Sequence, residues 1–172
     1  MGKTILLTGF PGCGKTTLIR RVLARLSIPA GGFYTQEVRD SGIRVGFELV
    51  TLDGSRGILA HVDNISTNRV GKYGVDLSAL EDIGVGAIRV AIEEEYLVVI
   101  DEIGPMEIFS PAFRQVVIEA LESETTVLGT IVKRSVPFAN VVKQKPQVWL
   151  VEVEPGTRDN LVEQLIQYIR DT

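Results

Sequence analysis

Glycines, a lysine and a threonine near the start of the chain have the spacing of a phosphate-binding loop. Residues 9–16 read GFPGCGKT and fit the pattern G-x-x-x-x-G-K-[ST]. In this pattern the backbone N–H groups surround nucleotide phosphates, the lysine reaches the β- and γ-phosphates, and the hydroxyl is offered to Mg²⁺. The segment therefore predicts binding of a nucleoside triphosphate, with Lys15 on the phosphates and Thr16 as a metal ligand.

The flanking sequence agrees with this interpretation. An apolar run, residues 5–7, precedes the loop, and a helix-like stretch follows it from about residue 15 to residue 26. The free N–H groups and positive dipole end of that helix favour an anion at the loop. The predicted nucleotide contacts of this segment are Gly9, Phe10, Pro11, Gly12, Cys13, Gly14, Lys15, Thr16 and Thr17.

A second acidic motif follows a buried strand in the middle of the chain. Residues 96–100 read YLVVI, and Asp101 and Glu102 come directly after them. Ligands of open α/β sheets bind at the carboxyl ends of the strands. We expect Asp101 to hold Mg²⁺, directly or through water, and Glu102 to polarise a water that attacks the γ-phosphate.

A glutamate immediately after the metal aspartate resembles the large P-loop division that uses a catalytic glutamate, in which another strand separates the two motif strands. By this resemblance Thr130, at the end of the next strand, matches the polar sensor that orients water or the γ-phosphate. Arg134 and Lys133 follow that strand and are the nearest candidates for a cation that neutralises the leaving phosphoryl group. A solvated surface position is the competing interpretation for both cations.

Strand-like and helix-like segments alternate along most of the chain. The pattern predicts an α/β sheet with helices on both faces, including a helix over about residues 78–95 and another that begins at Ser110 and Pro111. The turn-like pairs Ser41-Gly42 and Asp53-Gly54 separate three β-rich stretches. These stretches indicate an antiparallel β-hairpin insertion at roughly residues 31–62.

Length, composition and charge set broad limits. The chain has 172 residues, 45% of them hydrophobic, which suits one domain over residues 1–172. The net charge of −4 gives no basic footprint, so we expect no nucleic acid as principal partner. No signal-like opening or membrane-length apolar run is present, and we expect a cytoplasmic monomer without membrane contact.

Several longer strings together resemble one family. They are residues 9–16, residues 32–39 (GFYTQEVR), residues 71–75 (GKYGV) and residues 100–107 (IDEIGPME). They are similar to the small thermophilic nucleoside-triphosphatase family, whose animal members are called cancer-related nucleoside-triphosphatases. The resemblance implies a P-loop NTPase three-layer sandwich with a mainly parallel sheet of the catalytic-glutamate division.

The resemblance also implies an activity and a set of site residues. The activity is Mg²⁺-dependent hydrolysis of ATP, GTP, CTP and UTP, with broad base specificity, to diphosphate and phosphate. Lys15 and Glu102 are the implied catalytic residues, and Arg158 lies before the last helix, near the expected position of the base. The implied second nucleotide-site segment consists of Leu97, Val98, Val99, Ile100, Asp101, Glu102, Ile103 and Gly104.

Two other functions fit the same motifs. A small nucleoside, nucleotide or RNA-end kinase would share the phosphate loop, but such kinases often carry an arginine-rich lid, and here only Lys133 and Arg134 occupy that region. A nucleotide-dependent switch is the other alternative. The guanine-reading Asn-Lys-x-Asp signature is absent from the sequence, which argues against a standard GTPase switch.

Overall fold

The architecture was obtained as a computed structural model that describes residues 1–171. Its strands belong to one mixed sheet with the order β5-β6-β4-β3-β2-β7-β8-β1-β9. The strands are β1 (Thr4–Thr8), β2 (Ala30–Asp40), β3 (Ile43–Thr51), β4 (Arg56–His61), β5 (Arg69–Val70), β6 (Tyr73–Val75), β7 (Leu97–Ile103), β8 (Val127–Ile131) and β9 (Val148–Glu152).

Helices follow most strands of the parallel half. They are α1 (Lys15–Arg25), α2 (Leu77–Ala79), α3 (Gly86–Glu93), α4 (Pro111–Glu122), α5 (Pro137–Lys143) and α6 (Arg158–Arg170). A π-helical turn, Leu80–Val85, joins α2 to α3, so the helix predicted over residues 78–95 is present but irregular in its middle. The predicted start of α4 is confirmed, because the Ser110 hydroxyl accepts a hydrogen bond from the Phe113 N–H and Pro111 follows.

The parallel half places the two motif strands one strand apart. β2, β7, β8, β1 and β9 run parallel, and β8 lies between β1 and β7. One apolar cluster packs this sheet against α3 and α4, and a second packs the other face against α1 and α6. The three-layer P-loop fold with the strand order of the catalytic-glutamate division is therefore confirmed.

The antiparallel half of the sheet is joined to the parallel half through β2, which belongs to both. The first residues of β2 pair with β7, whereas the strand from Phe33 onwards pairs with β3 in the opposite direction. β4 and the short pair β5 and β6 continue the antiparallel pairing as far as Val75. The antiparallel strands thus extend beyond the insertion predicted at roughly residues 31–62. The sequence did not indicate β5 and β6, because these strands are only two and three residues long.

Gly32 is a position where the backbones of β2 and β7 leave no room for a side chain. Its φ angle is +107°, and a Cβ there would lie 2.0 Å from the carbonyl oxygen of Val99. We expect Gly32→Ala to lower the free energy of unfolding by about 3 kcal/mol or more, because left-handed strain and a backbone clash add. Urea denaturation followed by circular dichroism measures this change.

Gly54→Ala is the matched control. Gly54 also has a positive φ, +97°, but its added Cβ would meet no atom within 4 Å. This variant should lose only about 1 kcal/mol from backbone strain. Equal losses in the two variants would contradict the assigned importance of close packing between β2 and β7.

Candidate functional site

The predicted phosphate loop connects β1 to α1 at the carboxyl edge of the sheet. Gly14, at the N-cap of α1, has φ +96°, so a residue without a side chain suits this left-handed position. The Lys15 Nζ donates to the carbonyl oxygens of Gly9 at 2.9 Å and Phe10 at 3.1 Å. The lysine ammonium therefore lies folded over the loop, where bound phosphates would meet it.

Asp101 joins the phosphate loop to the central strand. Its Oδ2 accepts a hydrogen bond of 2.7 Å from the Thr16 hydroxyl, and its Oδ1 accepts one of 2.6 Å from the Thr130 hydroxyl. Asp101 is 2% exposed and Thr130 is fully buried. Three residues predicted separately from the sequence are thus brought into one network.

A β-bulge explains how two consecutive carboxylates reach this edge. Ile100 pairs with Gly129 and Ile103 pairs with Ile131, so two residues of β7, Asp101 and Glu102, stand opposite Thr130 alone. A bulge interrupts the strict alternation of side chains along a strand and is frequent beside active sites. Asp101 can therefore face Thr16 while Glu102 lies next to it.

The Glu102 carboxylate lies against the turn that follows β7. A Cβ on Gly104 would come within 2.2 Å of Glu102 Oε1, so the absence of a side chain there makes room for the carboxylate. Burial raises the pKa of Glu102, the neighbouring Asp101 charge raises it further, and the Lys15 ammonium opposes both effects. A carboxylate whose pKa moves towards neutrality is better suited to accept a proton.

Burial also raises the pKa of Asp101. Hydrogen bonds from Thr130 and Thr16 and the charge of Lys15 oppose this change, because all three stabilise the ionised carboxylate. The donor set suits Mg²⁺, which prefers a few hard oxygen ligands and completes its shell with water and phosphate oxygens. Within residues 1–171, no group of three or more His, Cys, Asp or Glu side chains could hold a metal by itself.

Glu107 is a buried acid that the sequence analysis did not assign to the site. It is 4% exposed and begins the short 3₁₀ helix Glu107–Phe109. Its pKa is well above its ordinary value, chiefly because of burial and then because of the Glu102 charge; its own N–H and that of Gly104 favour the charged form. The signal in the sequence is the acid that ends IDEIGPME, which was used only for the family resemblance.

We expect Glu107→Gln to change the pH dependence of stability. A carboxyl whose pKa is raised on folding contributes stability at low pH, and that contribution is lost as the pH rises through the folded pKa. The glutamine variant should therefore gain stability relative to wild type as the pH rises above about 4.3, the ordinary value for glutamate. Urea denaturation of the nucleotide-free protein from pH 4 to pH 9 measures the difference.

An exposed acid provides the comparison for this experiment. Glu94, at the end of α3, is exposed, so Glu94→Gln should run parallel to wild type over the same pH range. A constant difference between Glu107→Gln and wild type at every pH would contradict the buried-charge explanation.

The remaining predicted residues lie in three different environments. Arg158 lies on the phosphate loop, since a Cβ on Gly14 would meet its Nη1 at 2.4 Å and its Cδ at 2.8 Å. Arg134 is exposed and makes no hydrogen bond or ion pair with the residues that the structure describes. The apolar part of β7, from Leu97 to Ile100, is buried in the core, and its assignment to the nucleotide site stays a prediction.

Known proteins resemble this chain over nearly its whole length. A family model described as NTPase matches residues 4–166. Nucleoside-triphosphatase THEP1 of Thermotoga sp. (strain RQ2) is 47% identical over 166 residues, which cover 96% of this chain and 95% of the relative. The crystal structure of THEP1 from Aquifex aeolicus has a TM-score of 0.90 and 34% identity, and covers 96% of this chain and 98% of that chain.

An animal protein shares the same fold. The solution structure of a human cancer-related nucleoside triphosphatase has a TM-score of 0.85 and 36% identity, with 99% of each chain covered. Fold and site together define a P-loop NTPase of the catalytic-glutamate division. Within that class, the chain belongs to the nucleoside-triphosphatase family, and the expected class of enzyme, a nucleoside-triphosphate phosphohydrolase, is confirmed.

No helix within residues 1–171 combines the length and the apolar character needed to cross a membrane.

Proposed function

We propose that this chain hydrolyses nucleoside 5′-triphosphates to diphosphate and phosphate, that the reaction depends on Mg²⁺, and that ATP, GTP, CTP and UTP all serve as substrates. The observation that carries the proposal is the network in which Asp101 accepts hydrogen bonds from both Thr16 and Thr130. It joins the phosphate loop to the strand that bears Glu102.

Each step of the reaction has a residue of suitable chemistry. The loop N–H groups and Lys15 hold the β- and γ-phosphates. Glu102 accepts a proton from the attacking water while the water oxygen forms its bond to the γ-phosphorus. The bond from the γ-phosphorus to the β,γ-bridging oxygen breaks, and the charge that develops on the diphosphate is stabilised by the Lys15 ammonium. Thr16 and Asp101 would hold Mg²⁺, which neutralises charge on the phosphate oxygens.

Thr130 has a supporting part in this proposal. Its hydroxyl donates to Asp101 at 2.6 Å, so it holds that carboxylate in the orientation in which the other oxygen meets Thr16. A sensor function towards water or the γ-phosphate remains the sequence prediction for Thr130. Arg134 remains a candidate for phosphate neutralisation, although its exposed guanidinium makes no hydrogen bond or ion pair with the described part of the chain.

The proposal of broad base specificity rests on the kind of side chain that lies at the phosphate loop near the expected position of the base. Arg158 is the cation found there, and a guanidinium can stack on the face of any nucleobase without reading its edge. The sequence also lacks the guanine-reading Asn-Lys-x-Asp signature.

We further propose that the protein acts as a cytoplasmic monomer, without nucleic acid as principal partner.

Phosphate release without an acceptor tests the proposal. The purified chain is incubated separately with ATP, GTP, CTP and UTP in the presence of Mg²⁺, and again with EDTA. We expect phosphate from all four nucleotides, with rates of similar magnitude, and none with EDTA. Tight nucleotide binding without phosphate release would overturn the hydrolase proposal and favour a phosphoryl acceptor other than water.

A further inference from the structure

Lys133, one of the two cations considered from the sequence for the leaving phosphoryl group, contacts the exposed tip of the phosphate loop. The Phe10 ring is 69% exposed, and the Lys133 Nζ lies 4.0 Å from its centroid. The backbone carbonyl of the same phenylalanine accepts the hydrogen bond from Lys15. Two ammonium groups therefore meet one residue of the loop, one at its backbone and the other at its ring.

Glu152 holds the Lys133 ammonium beside the loop. The Lys133 Nζ lies 2.5 Å from Glu152 Oε1, and the two side chains are 39% and 45% exposed. Glu152 ends β9 and stands opposite Thr8, the residue immediately before the loop. Exposed ion pairs of this kind contribute little stability, so a more highly charged anion can displace the carboxylate.

The backbone on which Lys133 stands is fixed on both sides. The Val132 N–H donates to the carbonyl of Ile103, just after Glu102, at 3.1 Å. The Lys143 Nζ donates to the carbonyl of Lys133 itself, also at 3.1 Å. The backbone at Lys133 is therefore held in place, and the long side chain is the part that can change its partner.

We propose that Lys133 exchanges its ion pair with Glu152 for the γ-phosphate of a bound nucleoside triphosphate and stabilises the charge that develops there. Glu152 is the partner that the Lys133 ammonium leaves in this exchange. The assignment deepens the proposed function and rests on it for the catalytic part only. A triphosphate offers more negative charge than one carboxylate, and charge-assisted hydrogen bonds to phosphate are among the strongest that a lysine makes.

Equilibrium binding separates this inference from the hydrolysis itself. The affinities of ADP and of a non-hydrolysable ATP analogue are measured with Mg²⁺ for wild type, Lys133→Ala, Glu152→Gln and the double variant. Lys133→Ala should weaken the analogue about tenfold or more and leave ADP unchanged, because ADP has no γ-phosphate. Its kcat for ATP should fall by a similar or larger factor.

Glu152→Gln should act in the opposite direction. It frees the ammonium without removing it, so the analogue should bind several-fold more tightly, and this gain should disappear when Lys133 is also replaced by alanine. Lys145→Ala is the control, since Lys145 pairs with Glu122 at 3.8 Å on another part of the surface. This control should bind both nucleotides like wild type.

Either of two results would overturn the inference. One is an equal effect of Lys133→Ala on ADP and on the analogue, or no effect on either. The other is a Glu152→Gln variant that weakens analogue binding as Lys133→Ala does, as expected if the pair only supports the loop. If the binding pattern holds while wild type releases no phosphate, the hydrolase proposal fails and the contact of Lys133 with the γ-phosphate stands.

Discussion

Glu102→Gln should lower kcat for ATP by about 10²–10⁴-fold while nucleotide affinity stays close to that of wild type. Glutamine keeps the shape of the side chain, but it cannot accept a proton from the attacking water. The hydrogen bonds of Lys15 and Asp101 go to the loop carbonyls and the two threonine hydroxyls, and none of them involves Glu102. Single-turnover phosphate release and equilibrium binding of a fluorescent nucleotide measure the two quantities.

Glu94→Gln provides a control for the loss of one negative charge, because Glu94 is exposed at the end of α3. It should keep the wild-type kcat. A Glu102→Gln protein with full activity would remove Glu102 as the general base. A loss of nucleotide affinity equal to the loss of kcat would instead assign Glu102 to binding.

Lys15→Ala should lose binding and turnover together. The ammonium lies on the loop carbonyls, and its removal takes from the bound phosphates the positive side chain that the loop itself carries. Removing such a charge-stabilising group typically lowers kcat by about 10²–10³-fold, and here the Kd of the triphosphate should rise by a comparable factor. Titration calorimetry and steady-state phosphate release measure these changes.

The folded state of the Lys15→Ala protein should remain intact. Among the described residues, the Lys15 Nζ donates only to loop carbonyls and to Cys13 Sγ, so its removal should change the free energy of unfolding by about 1 kcal/mol or less. Urea denaturation checks this expectation. Normal triphosphate binding by a folded Lys15→Ala protein would contradict the assignment of residues 9–16 as the phosphate site.

Local patterns in the sequence were sufficient to predict most of the fold and the two main motifs. The loop pattern depends on backbone geometry and a few fixed residue types, and β7 is a continuous apolar run that ends in carboxylates. Both signals are contained within about ten residues. The order of the strands needed the additional resemblance, because pairing partners are distant in sequence.

Contacts between distant segments could not be read in the same way. The bulge opposite Thr130 follows from the register between β7 and β8, and no single residue type signals it. Glu107 is similar, since an acid at the start of a helical turn is ordinarily exposed, and only tertiary packing buries this one. The Lys133 contact with Phe10 joins residues more than a hundred positions apart.

The position of Arg158 on Gly14 connects the last helix to the phosphate loop. Arg21 forms a 2.7 Å ion pair with Asp159, Arg25 pairs with Glu163, and the apolar faces of α1 and α6 lie in one cluster. Local opening of α6 would therefore remove one side of the loop. A ligand that binds only the closed form must suppress that opening, so amide hydrogen exchange in the C-terminal helix should report on occupancy of the loop.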